Sequence, residues 1–330
     1  MTDYDAQKLL TLEQEGAGMC TAVEEAVDEI CRRGFQNLYF IGIGGSYASA
    51  LIVQAIVRER STLPLVIANA GELIHRNEKN LTKDSVVFVY SVSGDTPEIL
   101  EAVKKCKAIG AAVYGIVERA DSPLAGLLDH LIVQGNGGFY KLYYFFGALM
   151  NRRGEFPEYE RMCQNLARMP EELMQVYPAI NKDASDFAQR YWDAPLCYLV
   201  GSGNVWGCAY SLAMCYMEEM QWMRTKSIRA AEFFHGTLEV IEKGVCVMLL
   251  KGEDDSRPEM ERVERFCQRV TDELFVFDTK NYSMPGIDAD MRGLLAPFLC
   301  HAIQERVLHS LEAVRCHPAE LRRYYRQISY

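Results

Sequence analysis

Positive charge is in deficit: the chain carries 35 Lys and Arg against 45 Asp and Glu, a formal net charge of −10. That balance argues against nucleic acid as the main partner, because binding a phosphate backbone needs a basic face. The eleven cysteines contain no C-x-x-C pair and no grouping with histidine of the metal-ligand kind, so no metal is expected. Most lie in apolar runs such as Cys208–Cys215 and read as reduced, buried thiols of a cytosolic protein. The polar N-terminal stretch lacks the apolar core of a secretion signal, and no later apolar run is long enough to cross a bilayer. A cytoplasmic location and no membrane partner are therefore expected. A complete G-x-G-x-x-G is also missing. Gly42-x-Gly44 and Gly201-x-Gly203 are fragments of one, and the acidic ribose-binding residue expected about 20 positions later is absent or misplaced.

What the chain does contain is enough apolar material, 49% of 330 residues, for about two domains. Residues 4–33 have helical periodicity. Strands are then expected at 38–43, 64–69, 86–91, 112–116 and 130–133, with helical patterns at about 46–59, 97–109 and 122–128 between them. Alternation with short turns predicts an α/β fold, a parallel sheet with helices on both faces. The stretch from Lys141 to Asp193 is mainly helical, with a break at 151–157. After it Leu196–Gly203 repeats the strand and glycine turn of Leu38–Gly45, an internal duplication. The expected division is a first domain over 1–150 with N-terminal helices, a helical linker over 151–190, and a second domain over 191–330.

Two turns lie at strand C-termini, where ligands of such sheets bind. One is Gly44-Gly45-Ser46. The other is SVSGDT at 91–96, which supplies Ser91, Ser93 and Thr96 around Gly94 and leads into a helix. Hydroxyls and free helix N-terminal N–H groups can meet a phosphate, although Ser, Thr and Asp at a helix start also serve as simple caps. Neither turn has a lysine or arginine, which suits a phosphorylated small molecule better than a magnesium nucleotide. In the second half the counterpart of 91–96 reads Lys251-Gly-Glu-Asp-Asp-Ser, whose acids repel phosphate. Only the first half is expected to bind one.

Glu218 and Glu219 lie in an otherwise apolar helical run, 205–223. Burial there would raise a carboxyl pKa toward that of a general base. Alternatively both face solvent and pair with Arg224, Lys226 or Arg229. Sixteen residues beyond Glu219 stands His235, with Glu232 three positions before it on the same face if the segment is helical. It is either a proton carrier near neutral pH or a packed, capping histidine. His75, His130, His301 and His309 have no motif around them.

GIGGSY, SVSGDT, MEEMQW and AAEFFHGTLE together resemble the tandem sugar isomerase (SIS) proteins, and most of all the deglycases that cleave phosphorylated Amadori compounds. The resemblance extends to the run 255–263, to Leu295–Leu299 and to the closing 317–325. It implies two doubly wound SIS domains, flavodoxin-like α/β/α sandwiches in tandem, with helical terminal segments. By the same resemblance the phosphate pocket falls on Ser46, Ser91, Ser93 and Thr96, with Gly45 beside them and backbone N–H groups near Val92 and Gly94. The catalytic glutamate falls on Glu219 and the histidine on His235. Glu232 and His317, the latter on a tail folded over the pocket, are further candidates. So is Lys141, whose ammonium otherwise snorkels to solvent. The active sites of such proteins lie at a dimer interface, so a homodimer is implied, and no metal or organic cofactor is needed. Two positions depart from the pattern. Tyr216 stands where amino-sugar isomerases have lysine, and Thr237 where proline is common. The start Met-Thr-Asp, without a catalytic cysteine or glutaminase domain, speaks against a glutamine-dependent synthase. The expected activity is hydrolysis of a ketosamine 6-phosphate, of the fructoselysine 6-phosphate type, to glucose 6-phosphate and a free amino acid. The alternatives are an isomerase or deaminase of hexose or amino-sugar phosphates, and a noncatalytic phosphosugar sensor.

Overall fold

In the computed structural model, which describes residues 5–134 and 138–329, the chain forms two compact units, Gln7–Pro170 and Glu171–Tyr330. The first begins with two helices, α1 (Ala6–Ala17) and α2 (Cys20–Arg33). Alternation then runs through β1 (Asn37–Gly42), α3 (Gly45–Arg60), β2 (Leu65–Asn69), α4 (Ala70–His75), β3 (Ser85–Ser91), α5 (Pro97–Ile109), β4 (Ala112–Val117) and β5 (His130–Gln134), and closes with α6 (Tyr140–Arg152). All four strand pairings are parallel and the sheet order is β2-β1-β3-β4-β5, the flavodoxin-like order.

β1 is buried along its whole length because helices cover both faces, and its side chains alternate between two cores. Tyr39 and Ile41, with Val87 and Val89 of β3, pack on Leu73 of α4 and on Ile99 and Val103 of α5. On the opposite face Phe40 and Phe88 meet edge to face at 4.8 Å, and Phe88 lies 4.4 Å from Phe145 of α6. Burying each such ring contributes about 2–3 kcal/mol, so these residues carry much of the unit's stability.

One expected helix is missing. Over 122–128 only a 3-10 turn, Ala125–Leu127, forms. The N–H of Leu124 bonds to the carbonyl of Gly94 at 2.9 Å, so this segment braces the Ser91–Thr96 turn, while the N–H of Leu127 on the carbonyl of Leu124 closes its one short turn.

The boundary between the units falls within α7 (Tyr159–Tyr191). The second unit continues with β6 (Cys197–Gly201), α8 (Trp206–Ser211), β7 (Thr225–Arg229), α9 (Ala230–Phe233), β8 (Cys246–Lys251), α10 (Arg257–Val270), β9 (Leu274–Asp278) and α11 (Arg292–Arg315). Its parallel sheet has the order β7-β6-β8-β9, which repeats the first four strands of the other unit. Tyr198, Val200, Val247 and Leu249 pack on Phe233, Met260, Val263 and Cys267. The duplication expected from the glycine turns is thus a duplication of topology. Among the described residues no helix is long and apolar enough to cross a membrane.

The run 205–223, expected as one α-helix, is not one. A 3-10 turn (Gly203–Val205) leads into α8, and the backbone then widens into a π-helix over Leu212–Met220. At the change Gln304 of α11 donates to the carbonyl of Cys208 at 2.7 Å, a carbonyl that also accepts from the N–H of Leu212. A side chain entering the helical ladder in this way is a known cause of such irregularity.

Candidate functional site

In the first unit, Ser46, Ser91, Ser93 and Thr96 all lie just beyond the C-terminal ends of the neighbouring strands β1 and β3. Gly45 opens α3 and is exposed. The Ser46 hydroxyl closes its own turn: it accepts from the N–H of Ile43 (3.0 Å) and donates to the carbonyl of Ile43 (2.9 Å). Ser91 is buried and accepts from the N–H of Gly94 at 3.1 Å, so that N–H is committed within the turn and not left open to a ligand. Gly94 has φ +64°, and a Cβ there would lie 2.4 Å from Ser122 Oγ, so only glycine fits. Thr96 is the N-cap residue of α5, yet its side chain makes no capping hydrogen bond and Pro97 follows at N1. The hydroxyl is not used as a structural cap, which leaves it and the helix terminus able to take an anion.

Lys141 corrects an expectation. It does not snorkel; it has no exposed surface, and its Nζ lies 4.4 Å from the centre of the Tyr90 ring, one residue before Ser91. Burial pushes its pKa down to about 8, with Glu118 acting in the opposite sense. A side chain this enclosed does not touch a sugar in this conformation.

The glycine turn of the second unit is filled by its own residues. Gly203 has φ +52°, and a Cβ on it would lie 2.0 Å from Asp254 Oδ2. That oxygen accepts from the N–H of Asn204 at 2.7 Å, while Oδ1 accepts from the N–H of Ser256 at 3.0 Å. The Asp254 carboxylate thus takes up the N–H groups of the turn and places a negative charge there, which disfavours a second anion.

The candidate chemical groups are also in this unit. Glu218 is exposed and accepts from Thr225 Oγ1 at 2.6 Å. Glu219 is partly buried, and its partner is none of the three cations expected. Both Nε and Nη2 of Arg322, in the C-terminal tail, lie 3.0 Å from Glu219 Oε1. Sequence reasoning passed over Arg322; its only signal was the tail motif at 317–325. Tyr216, three positions before Glu219, donates to Glu305 Oε1 at 2.7 Å, and burial raises its phenol pKa well above the ordinary value. No amine stands there.

His235 is exposed and lies past the end of α9, with its N–H on the carbonyl of Glu232 at 3.0 Å. Glu232 and His235 therefore do not share a helical face as expected, because the helix stops at Phe233. Thr237 is buried, opens a short 3-10 turn and accepts from Lys226 Nζ at 3.3 Å. His317 packs edge to face on Trp222, centroids 4.3 Å apart, and burial with Arg315 and Arg323 lowers its pKa.

The family model described as the SIS domain matches residues 34–133, the stretch that runs from just before β1 into β5. Along 97% of its length the chain is 28% identical to the whole of the fructosamine deglycase FrlB of Bacillus subtilis (strain 168). Over 92% of its length it is 24% identical to the fructoselysine 6-phosphate deglycase of Escherichia coli (strain K12), of which 89% is covered. The solved structure of a Bacillus subtilis protein described as a phosphosugar isomerase superposes with a TM-score of 0.90 at 26% identity, covering 96% of this chain and 99% of that one.

Proposed function

We propose that the protein is a deglycase that hydrolyses a ketosamine 6-phosphate to glucose 6-phosphate and a free amino acid. The observation that carries this reading is the end-to-end similarity to a fructosamine deglycase, 97% of this chain against all of that one. The site residues fit the chemistry. Ser46, Ser91, Ser93 and Thr96 would hold the phosphate with neutral donors, Ser46 by turning its hydroxyl proton from the Ile43 carbonyl to the ligand. Glu219 would take a proton from C1 of the open-chain ketosamine, giving an enaminol. Its return at C2 gives an imine at C1, and water then releases the amine and leaves the aldehyde of glucose 6-phosphate. His235 would carry protons to and from oxygen and nitrogen. This chemistry needs no metal or organic cofactor. The enzyme would work in the cytoplasm as a homodimer.

A coupled assay for glucose 6-phosphate, with the released amine quantified by mass spectrometry, tests the reading on 6-phosphorylated ketosamines, fructose 6-phosphate and glucosamine 6-phosphate. Equimolar sugar phosphate and amine from a ketosamine is the expected result. Turnover of only the unmodified hexose or amino-sugar phosphates would make the enzyme an isomerase or deaminase, and binding without product would make it a sensor. The phenol at Tyr216, tied to Glu305, weighs against the amino-sugar isomerase.

A further inference from the structure

The Arg322–Glu219 pair is built with care on one side and left incomplete on the other. The tail carrying Arg322 is fastened to the end of the π-helix: Gln221 Nε2 donates to the carbonyl of His317 at 2.9 Å, and the Trp222 ring is flanked by His317 and by the Arg323 guanidinium at 4.1 Å. Trp222 itself holds φ +52°, a backbone conformation costly for a bulky residue, so this attachment is over-determined by its surroundings. Arg322 Nη1 donates to the carbonyls of Ala319 and Leu321, which aims the Nε–Nη2 edge of the guanidinium at Glu219. Yet that edge receives a single carboxylate oxygen, Oε1, wedged between its two donors. A guanidinium edge is matched best by two oxygens, one per N–H.

We propose that Arg322 is the receptor for the carboxylate of the amino acid carried by the substrate, and that the incoming carboxylate displaces Glu219 from it. The exchange has two consequences. A carboxylate free to place one oxygen on each donor completes the fork that Glu219 fills with one. Glu219, released from the guanidinium, has Oε1 free to face the C1 proton at the moment the substrate is in place. The same geometry selects the linkage. Arg322 is in hydrogen-bond contact with the group proposed to take the C1 proton, so the carboxylate it receives must lie close to C1. An amino acid joined through its α-amine puts the carboxylate carbon on the atom next to the nitrogen, whereas a lysine joined through its ε-amine puts it several carbons away. The preferred substrate class is therefore the α-linked ketosamine 6-phosphate.

This inference rests on the deglycase reading, and one set of kinetics separates the two. The 6-phosphates of fructosylglycine, fructosylglycinamide and ε-fructosyllysine are compared on the wild type, Arg322→Met and Arg322→Lys. In the wild type kcat/KM for the glycine compound should exceed those for the glycinamide and ε-lysine compounds by roughly 10–100-fold, the scale of a charge-assisted hydrogen bond. Arg322→Met should bring that ratio to within about threefold, and Arg322→Lys, which keeps the charge but loses the fork, should fall between. A wild type indifferent to the carboxylate would overturn the inference and leave the deglycase intact. So would Arg322 variants that lower all three substrates alike, the mark of a merely structural tail. If the wild type cleaves no ketosamine, both fall.

Discussion

At the scale of single residues, the assigned base and the buried lysine make opposite kinds of claim. Glu219→Gln keeps the size and hydrogen bonds of the side chain but cannot take a proton. Turnover should fall at least ~100-fold with substrate binding retained, as single-turnover and binding measurements would show. Near-normal turnover would remove Glu219 from its role. Lys141 is a matter of stability. Its folded-state pKa is lowered to about 8 from 10.5 by burial. Between those two values the unfolded chain binds the proton that the folded chain has lost, so stability rises with pH across that window. Relative to Lys141→Met, the wild type should gain stability between pH 8 and 10.5 by an amount on the order of 1–3 kcal/mol, read from urea unfolding at several pH values. A gap between the two proteins that stays constant across the window would contradict the buried, destabilised ammonium.

At the scale of elements, the strand-end turns decide what the sheets can bind. The Ser91–Thr96 turn is shaped by Gly94 at positive φ, by its N–H on Ser91 and by its carbonyl on Leu124. Gly94→Ala would force a Cβ against Ser122 and hold alanine in a left-handed conformation. We expect a loss of about 1–3 kcal/mol of stability and weakened binding of inorganic phosphate by calorimetry. Wild-type phosphate affinity in that variant would show that the anion is held elsewhere. The matching turn of the second unit has the same strand-and-glycine plan and the opposite outcome, because the Asp254 carboxylate already accepts the N–H of Asn204. One supersecondary plan is thus proposed as a phosphate cradle in one unit and is a self-filled turn in the other. The π-helix has a comparable role: it carries Glu218, Glu219 and Tyr216 on a backbone wider than an α-helix, with its end fastened to the tail.

At the scale of the whole molecule, a homodimer whose active sites lie at the interface, as the resemblance to the tandem sugar isomerase proteins implies, has a distinctive consequence if each site takes Glu219 from one chain and His235 from the other. Sedimentation should give twice the 37.5 kDa of one chain. Glu219→Gln and His235→Ala proteins, each inactive alone, should regain activity when unfolded and refolded together. Random pairing makes about half the dimers mixed, and each mixed dimer has one site with both wild-type residues, so about a quarter of wild-type activity should return. No recovery in a protein shown to be dimeric would place both residues of a site on one chain.

The period-2 and period-3.6 patterns marked the five strands of the first sheet to within a residue or two, the strand that restarts the pattern at 196, and the hydroxyls and acids to be weighed, because burial on both faces of a strand and capping at a helix start leave local marks in the chain. Three things left no such mark. The helix of Glu219 became a π-helix where Gln304, some 90 positions on, reached the carbonyl of Cys208. Lys141 was enclosed by residues far from it in sequence, which turned an expected surface ammonium into a buried one. Arg322, rather than a nearby cation, became the partner of Glu219 because the tail is held on Trp222. Each is a contact between distant residues, and only folding brings such residues within reach; the local pattern carries no information about which of several available cations, amides or rings will be the one to arrive.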